Sequence, residues 1–285
     1  MLMILTKLCI EEETFNRFDK YLKRLINQAE EEDSNKEFSY HVPYVLLIKY
    51  NLINNYNNTD GKIFLMKNLK YDILVEAYVS RLLMEESYEE TIVVCNKHLS
   101  KNNRRFNEFL LKSKLSAAEK LNYIEIVRDT SFKLLIEKNF MYYETYKKTF
   151  TKKEFIQEIS KLLEYNESGY YISIRNFVAI KENLQTIMVE DILTDSNLFN
   201  TYHKHLNQDS LQSMKSIYET EIHNFLEYSD KRSKYRKACK MIVEYADDYK
   251  VYPLTLISEI EMKYPRKEAL LDELADIKRK LMSKY

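Results

Sequence analysis

The sequence predicts an all-α fold, arranged as a helical-repeat solenoid, and three observations support this prediction. Glycine is rare, since average usage of about 7% would give roughly 20 glycines in such a chain. The chain has 2 glycines and 3 prolines among its 285 residues. β-Sandwiches and barrels need frequent tight turns of glycine or proline, whereas helices can be joined by short Asn, Asp and Ser linkers. Apolar residues also recur at helical spacing along most of the chain.

The N-terminal part predicts a pair of helices. The first covers 10–31, where one apolar face has i, i+3, i+7 spacing and consists of Phe15, Phe18, Leu22, Leu25 and Ile26. The second begins near Pro43, because proline is tolerated in the first helical turn, and we expect "NNTDGK" to end it. We therefore divide the chain into an N-terminal helical pair, 1–60, which could belong to the same array, and a repeat domain, 61–285.

The clearest repeat is "YDILVEAYVSRLLMEESYEETIVVCNKHLS", which predicts two antiparallel helices joined at "EES". The first helix should bury Leu74, Tyr78 and Leu82, and the second should bury Tyr88, Ile92, Cys95 and Leu99. This pair has a degenerate tetratricopeptide (TPR) character, because a Tyr opens its second helix and the small residue Thr91 follows three positions later. The layout recurs in "YYISIRNFVAIKENLQTIMVEDIL", where 181–183 separate two apolar segments.

The C-terminal part predicts a further series that ends in a capping helix. Thr151 and Glu154 have the spacing of a capping box, and helices are expected near 208–228, 231–247, 253–263 and 266–283, which makes roughly fourteen in total. In the last helix, Pro265 fits the first position. An apolar stripe follows, formed by Leu270, Leu274, Ile277 and Leu281. One apolar face and one charged face are what a terminal repeat requires, so we expect a right-handed α-α superhelix closed by this helix.

Three stretches resemble the helical, TPR-like region that lies C-terminal to the zinc finger in bacterial SWIM zinc-finger proteins. They are "EESYEETIVVCNKHL", "MYYETYKKTFTKKEFIQEISKLL" and "KRSKYRKACKMIVEY" leading into "EIEMKYPRKEALLDEL". The resemblance covers the chain from about residue 70 onward and implies a TPR-like helical module. Phe155 stands where that family tends to have tryptophan. The defining cysteine and histidine finger is absent, so its binding properties do not carry over.

Composition limits the function and the compartment. Lysine plus arginine equals aspartate plus glutamate at 44 each, so no overall field attracts nucleic acid or an anionic membrane. The 3 cysteines are far apart, which favours a reducing compartment and predicts a cytoplasmic location. The apolar start "MLMILTKLCI" is too short for a membrane span and is interpreted as a helical turn. We expect no membrane association.

No pattern of an enzyme or a cofactor site is present. Phosphate-binding loops and dinucleotide fingerprints need several glycines at fixed spacing, and a nucleophile elbow needs glycines beside a serine. Cys95 and His98 share a helix face, but a closed zinc site needs two more ligands, and His203 and His205 have no such partners either. We expect no catalysis, no metal and no cofactor.

The strongest local charge lies in "KRSKYRKACK", residues 231–240, which holds six basic residues and no acidic one. Our leading hypothesis is a non-catalytic scaffold whose concave surface binds a protein or peptide, with tyrosine and asparagine of the inner helices as contacts. The candidate contacts are Tyr78, Arg81, Tyr88, Arg232, Tyr235, Arg236 and Arg266.

Two alternatives remain. One is a peptide-sensing regulator of the helical-repeat type, although residues 1–60 lack the basic recognition helix of its usual DNA-binding domain. The other is a nucleic-acid-binding module in which the basic 231–240 helix follows the phosphates, with salt-dependent affinity.

Overall fold

The computed structural model describes residues 12–32, 42–99, 103–165 and 173–284. Regular structure in these ranges is entirely helical, with 17 α-helices, three short 3₁₀-helices and no strand. The prediction of an all-α fold is therefore confirmed. The first residues, interpreted above as a helical turn, lie outside the described ranges. None of the helices in these ranges combines the length and the apolar character needed to cross a bilayer.

The chain divides into two compact units, one ending at Lys153 and the other beginning at Glu154. The helices that begin in the first unit are α1 Glu12–Glu32, α2 Val42–Tyr56, α3 Asn58–Lys67, α4 Asp72–Met84, α5 Tyr88–His98, α6 Arg104–Lys120, α7 Ile124–Ile136, α8 Tyr143–Lys147 and α9 Lys152–Glu164. All but two residues of α9 belong to the second unit.

Helices of the first unit pack mainly against those next to them, or next but one, in the sequence. Helices α1 and α2 bury Leu22 and Leu52 between them. Helix α2 also shares a core with later helices, because Val42 of α2, Tyr78 of α4 and Leu110 of α6 belong to one buried cluster. Residue 60 thus lies within a shared core, and the division into two compact units falls between Lys153 and Glu154.

Helix α3 occupies the segment that was expected to be a break. Helix α2 ends at Tyr56, directly before "NNTDGK", as expected. The same segment also begins α3, because the Asn57 side chain caps this helix and accepts a hydrogen bond from the Thr59 amide at 3.0 Å. Gly61 is buried inside this helix. A Cβ at Gly61 would lie 2.6 Å from Asn54 Oδ1 and 2.9 Å from Asn54 Cα. Glycine is required here because α2 and α3 approach closely, not because the chain turns.

Three helix hairpins share one kind of turn. Helices α4 and α5 are joined through Glu86, and α6 and α7 through Asn122. In the second unit, Asn183 joins α10 (Ile174–Lys181) to α11 (Gln185–Thr194). Each of the three joining residues has a positive φ between 53° and 57°. The amide after each of these residues donates back to the preceding helix, as in Ser87 N to Leu82 O at 2.9 Å. This is the Schellman helix ending, in which glycine is the usual residue. The turns that glycine normally makes are formed here by Glu and Asn.

The helices of the second unit after α9 are α10 Ile174–Lys181, α11 Gln185–Thr194, α12 Phe199–Tyr202, α13 Gln208–Ser213, α14 Lys215–Glu227, α15 Arg232–Tyr249, α16 Leu254–Lys263 and α17 Glu268–Met282. The segment predicted as one helix near 208–228 is divided at Met214. Short helices inside connecting segments, such as α3, α8 and α12, raise the observed number above the expected fourteen.

Helix α17 begins later than predicted, since Pro265 lies in a turn before the capping residue Lys267. The predicted apolar stripe is confirmed, because Leu270, Leu274, Ile277 and Leu281 are all buried. Helix α17 packs extensively on α15.

Aromatic rings fill the centre of the second unit. Tyr218 of α14 lies 4.7 Å from Phe199 and 5.6 Å from Tyr245, between ring centroids. The hydroxyl of Tyr249 donates to Leu211 O at 2.8 Å, and that of Tyr245 donates to Glu219. A buried tyrosine needs such a partner for its hydroxyl. These tyrosines occupy seams between helices.

Candidate functional site

Two of the predicted contact residues lie inside a polar network of the first unit. Tyr78 is 1% exposed and Arg81 is 8% exposed. The Tyr78 hydroxyl donates to Glu90, whereas Arg81 donates from Nε to Glu85 Oε1 at 2.6 Å and from Nη1 to Asn54 Oδ1 at 2.7 Å. Both side chains therefore join helices to one another and present little surface to a partner.

Lys62 completes this network. Its ammonium lies 2.9 Å from Glu85 Oε2 and 3.7 Å from Glu90 Oε2. Hydrogen bonds from Lys62 and Arg81 lower the pKa of Glu85, while burial raises the pKa of Tyr78. Helices α2, α3, α4 and α5 are thus joined by charges that balance locally.

The other predicted residues of the clear repeat are also packed. Tyr88 is half-buried against the cluster around Leu115 and Leu134. Cys95 is fully buried, which raises the pKa of its thiol to about 12, and burial lowers the pKa of His98. Over the described ranges, no three His, Cys, Asp or Glu side chains come together in a way that could hold a metal ion.

Two arginines of the basic segment 231–240 pair with the last helix, α17. Arg232 Nε donates to Glu273 Oε1 at 2.7 Å, and Arg236 Nε donates to the same oxygen at 3.1 Å. The hydrogen bond from Arg232 is the main reason why the pKa of Glu273 is lowered. Lys240 lies 3.6 Å from Glu244. Acidic side chains therefore neutralise three of the cations that a phosphate backbone would need.

Tyr235 and Arg266 differ in exposure. Tyr235 is buried, and the Lys267 ammonium lies 5.6 Å from the centroid of its ring. Lys267 Nζ also donates to Leu226 O at 3.1 Å and to Ser229 O at 2.9 Å, so it caps the end of α14. Arg266 is exposed beside this contact. Of the seven predicted contacts, Arg232, Arg236 and Arg266 present an exposed surface.

A groove that the sequence did not reveal lies in the second unit. It has a volume of about 740 Å³. We call it the asparagine groove, and it is lined by Asn197, Asn200, Glu221, Asn224, Phe225, Tyr228, Ser229, Lys234, Lys237 and Met241. Its walls are the 3₁₀-helix Ser196–Leu198 with α12, the helix α14 and the helix α15.

Most of the residues that line the asparagine groove have polar side chains. Asn197 is held by Asp195, which accepts from Asn197 Nδ2 at 2.8 Å. Asn200 and Asn224 are exposed, and neither side chain makes a hydrogen bond within the described ranges. Tyr228 is 81% exposed at the end of α14. The groove thus offers free amide donors and acceptors beside a large aromatic ring.

A buried network fixes the short helix that carries Asn200. Tyr202, at the end of α12, donates its hydroxyl hydrogen to Asp191 Oδ2 at 2.7 Å and accepts from Asn176 Nδ2 at 2.6 Å. Arg175 donates to Asp191 Oδ1 from Nε at 2.8 Å and to Leu163 O from Nη1 at 2.9 Å. Because a satisfied buried network is rigid, one wall of the groove is held firmly.

His203 and His205, which were weighed above as zinc ligands, come directly after α12. His203 Nε2 and Asp248 Oδ2 are 2.6 Å apart, and the His203 ring stacks on Phe199 at 5.1 Å. His205 is exposed, and its carbonyl accepts from Gln185 Nε2 at 3.0 Å. The two histidines have separate packing partners.

A second groove, of about 850 Å³, lies in the first unit between α6 and the end of α7. Its charged side chains already contact each other, since Arg104 Nε lies 3.3 Å from Glu137 Oε2. Glu108 accepts from Lys112 at 2.7 Å and from Asn139 at 3.3 Å. A ligand there would have to displace these contacts, so the asparagine groove is the better candidate.

The sequence missed the asparagine groove for a simple reason. Its residues come from three segments that are separated along the chain, and single asparagines at exposed positions have no diagnostic spacing. The one local signal is the i, i+3 pair Asn197 and Asn200, which is too common to identify a site.

No protein-family model matches the chain, and neither a curated protein nor a solved structure is significantly similar to it.

Proposed function

We propose that the chain is a non-catalytic scaffold of the TPR-like helical-repeat type that binds a protein segment or peptide in the asparagine groove. The observation that carries this proposal is the exposed lining of the groove, where Asn200 and Asn224 have unused amide groups beside Tyr228. A membrane partner and an enzymatic reaction are not part of the proposal.

Asparagine is suited to hold a peptide backbone. Its side-chain amide carries one acceptor oxygen and two donor hydrogens, so it can bond the N–H and the C=O of an extended chain regardless of that chain's sequence. Exposed tyrosine supplies contact area at low entropic cost, and Tyr is enriched among the residues that dominate interface energies. Asn200, Asn224 and Tyr228 together match what an extended segment requires.

The repeat architecture is supported by the helix hairpins. Turns of the same geometry at Glu86 and Asn122 are 36 residues apart in the numbering, 122 minus 86, close to the period of about 34 residues in TPR proteins. Packing between sequence neighbours in the first unit is also typical of repeat arrays. The resemblance to the helical region of SWIM zinc-finger proteins agrees with this part of the proposal.

The cytoplasmic location belongs to the same proposal. Among the described residues, Cys95 and Cys239 are both free and buried. Free thiols are typical of proteins that reside in a reducing compartment.

The test uses a random-sequence peptide library, selected on the intact protein, followed by affinity measurements on the enriched peptides. Replacing both Asn224 and Tyr228 by Ala should lower the affinity for these peptides at least tenfold, since the loss of a dominant aromatic residue from an interface costs about 2 kcal/mol or more. The matched control replaces Asn96 and Tyr44, which are exposed in the first unit, and should leave affinity unchanged.

A thermal melt of each variant checks that the fold is intact. Equal affinity of the wild type and the groove variant, or a selection that enriches no peptide, would contradict the proposed function.

A further inference from the structure

We infer that the segment bound in the asparagine groove carries an acidic side chain at one end, which Lys234 and Lys237 hold. The other end of the segment lies beside Glu221. This inference rests on the proposed function and adds the charge pattern of the partner. It follows from the order of the charged residues along the groove, from the absence of an acidic partner at Lys237 among the described residues, and from the half-buried ring of Phe225 beneath that lysine.

The order of charges follows from the pairing of α14 with α15. Lys234 Nζ donates to Tyr228 O at 3.1 Å, the Lys237 ammonium lies 5.3 Å from the centroid of the Phe225 ring, and Tyr218 donates to Met241 O at 3.3 Å. The two helices are therefore antiparallel along the groove. Both lysines lie toward the end of α14, and Glu221 lies about one helical turn nearer its beginning.

Lys237 differs from the other cations of α15 in its contacts. Arg232 and Arg236 share Glu273, and Lys240 faces Glu244. Lys237, in contrast, contacts no acidic side chain of the described ranges. Lys234 lies 3.4 Å from Asp230, an exposed residue, and its ammonium has three donors. The uncompensated charge on the groove side of α15 is therefore that of Lys237, and Lys234 could share its ammonium between Asp230 and a bound carboxylate.

The position of Lys237 over Phe225 makes this charge effective. The Phe225 ring is half-buried beneath the Lys237 ammonium. A carboxylate bound to Lys237 would therefore have this apolar ring, and not water, on one side. An ion pair near an apolar surface is screened less than one in open water. Lys234 and Lys237 also lie three positions apart on one helix, a spacing at which two side chains can contact the same carboxylate.

Glu221 gives the groove a direction. A segment with its acidic residue at the lysines places its other end beside Glu221, where a basic side chain is favoured and a second acidic one is repelled. A segment in the opposite direction would place like charges together at both ends. A continuous polyanion such as single-stranded RNA also meets Glu221, which is why the charge pattern favours a peptide.

The experiment exchanges the charges of the groove. The random-sequence peptide library is selected in parallel on the wild type, on the double variant Lys234→Glu, Lys237→Glu, and on the control Lys240→Glu, which changes the same helix outside the groove lining. Wild type and control should enrich peptides with Asp or Glu at a fixed position, whereas the double variant should enrich Lys or Arg there.

Affinity measurements complete the test. A peptide selected on the wild type should bind the double variant at least tenfold more weakly, and its affinity for the wild type should decrease as salt increases. Replacing Glu221 by Lys should remove the preference for a basic residue at the other end of the peptide.

The outcomes separate this inference from the proposed function. Peptides that depend on Asn224 and Tyr228 but show no acidic preference would overturn the inference and leave the proposed function intact. A selection without any enriched peptide would overturn both. Binding of a single-stranded oligonucleotide that Lys234→Glu, Lys237→Glu abolishes, with no peptide bound, would assign the lysines to a nucleic acid instead.

Discussion

Gly61 shows how one residue depends on its neighbour across a helix interface. Glycine inside a helix is less favourable than alanine by about 1 kcal/mol, so at most positions of this kind a change to alanine stabilises the protein. Here the position of the added Cβ, 2.6 Å from Asn54 Oδ1 and 2.9 Å from Asn54 Cα, leaves no room. Asn54 Oδ1 also accepts from Arg81, so moving Asn54 would weaken a second contact.

We therefore predict that Gly61→Ala destabilises the protein by about 1–3 kcal/mol, the usual cost of overpacking. Chemical denaturation monitored by circular dichroism would measure the change in the free energy of unfolding. Thr59→Ala, at an exposed position of the same helix, is the control and should be close to neutral. A more stable Gly61→Ala variant would show that α2 and α3 do not approach so closely.

The helix hairpin is the element that recurs. Its turn needs a residue in the left-handed conformation, which non-glycine residues adopt at a cost. Glu86 connects α4 to α5 at φ 56°, a conformation that costs an ordinary residue roughly 1–2 kcal/mol. Asn122 and Asn183 have the same conformation at a smaller cost, because Asn tolerates it better than other non-glycine residues. The scarcity of glycine therefore reduces stability at some turns without preventing them.

We expect Glu86→Gly to raise the free energy of unfolding by about 1 kcal/mol, since the strain removed exceeds the entropy lost. Asn122→Gly should raise the free energy of unfolding by a smaller amount. Denaturation curves of the two variants provide the comparison. Glu89→Gly, in the first turn of α5, should instead destabilise, because glycine is unfavourable within a helix. No gain at Glu86 would mean that Glu86 is not held in the left-handed conformation.

At the scale of the whole molecule, ionisation of buried groups limits stability in alkaline solution. Burial raises the pKa values of the phenols of Tyr78, Tyr202, Tyr218, Tyr245 and Tyr249. Burial also raises the pKa values of the Cys95 and Cys239 thiols to about 12. In the unfolded chain, Cys ionises near about 8.5 and Tyr near about 10. Above these values the unfolded state loses protons that the folded state keeps.

The sign of the pH dependence follows directly. A pKa that is raised on folding stabilises the protein fully below the unfolded-state pKa, and this stabilisation is lost as pH rises toward the folded-state pKa. We predict that these groups contribute a constant amount to the free energy of unfolding up to about pH 8. Above that pH the free energy of unfolding should decline, with a slope that approaches about 1.4 kcal/mol per pH unit for each titrating group. Urea denaturation at a series of pH values would measure this.

Tyr218→Phe provides the comparison for the alkaline prediction. Phenylalanine cannot ionise, and the hydroxyl that it lacks makes a single bond of 3.3 Å to Met241 O. The variant should therefore lose stability less steeply above pH 10 than the wild type. Stability that rises through this range would contradict the burial of these phenols.

The sequence by itself determined the helical class, most helix positions and the stripes that become buried. The stripe from Leu270 to Leu281 and the hairpin at 85–87 could be predicted because spacing, capping and turn formation act between residues a few positions apart. The same local signals misplaced the start of α17 and missed α3, because a helix boundary also depends on what the helix packs against.

Only the tertiary structure decided which charges are neutralised, which aromatic rings are buried and where a groove remains open. Arg232 and Arg236 share Glu273, 41 and 37 residues further along the chain, and no local pattern specifies that pairing. Asn200, Asn224 and Lys237 likewise come together through the packing of three segments. The physical reason is that electrostatic contacts and surface shape depend on distance in space, whereas helix formation depends on distance along the chain.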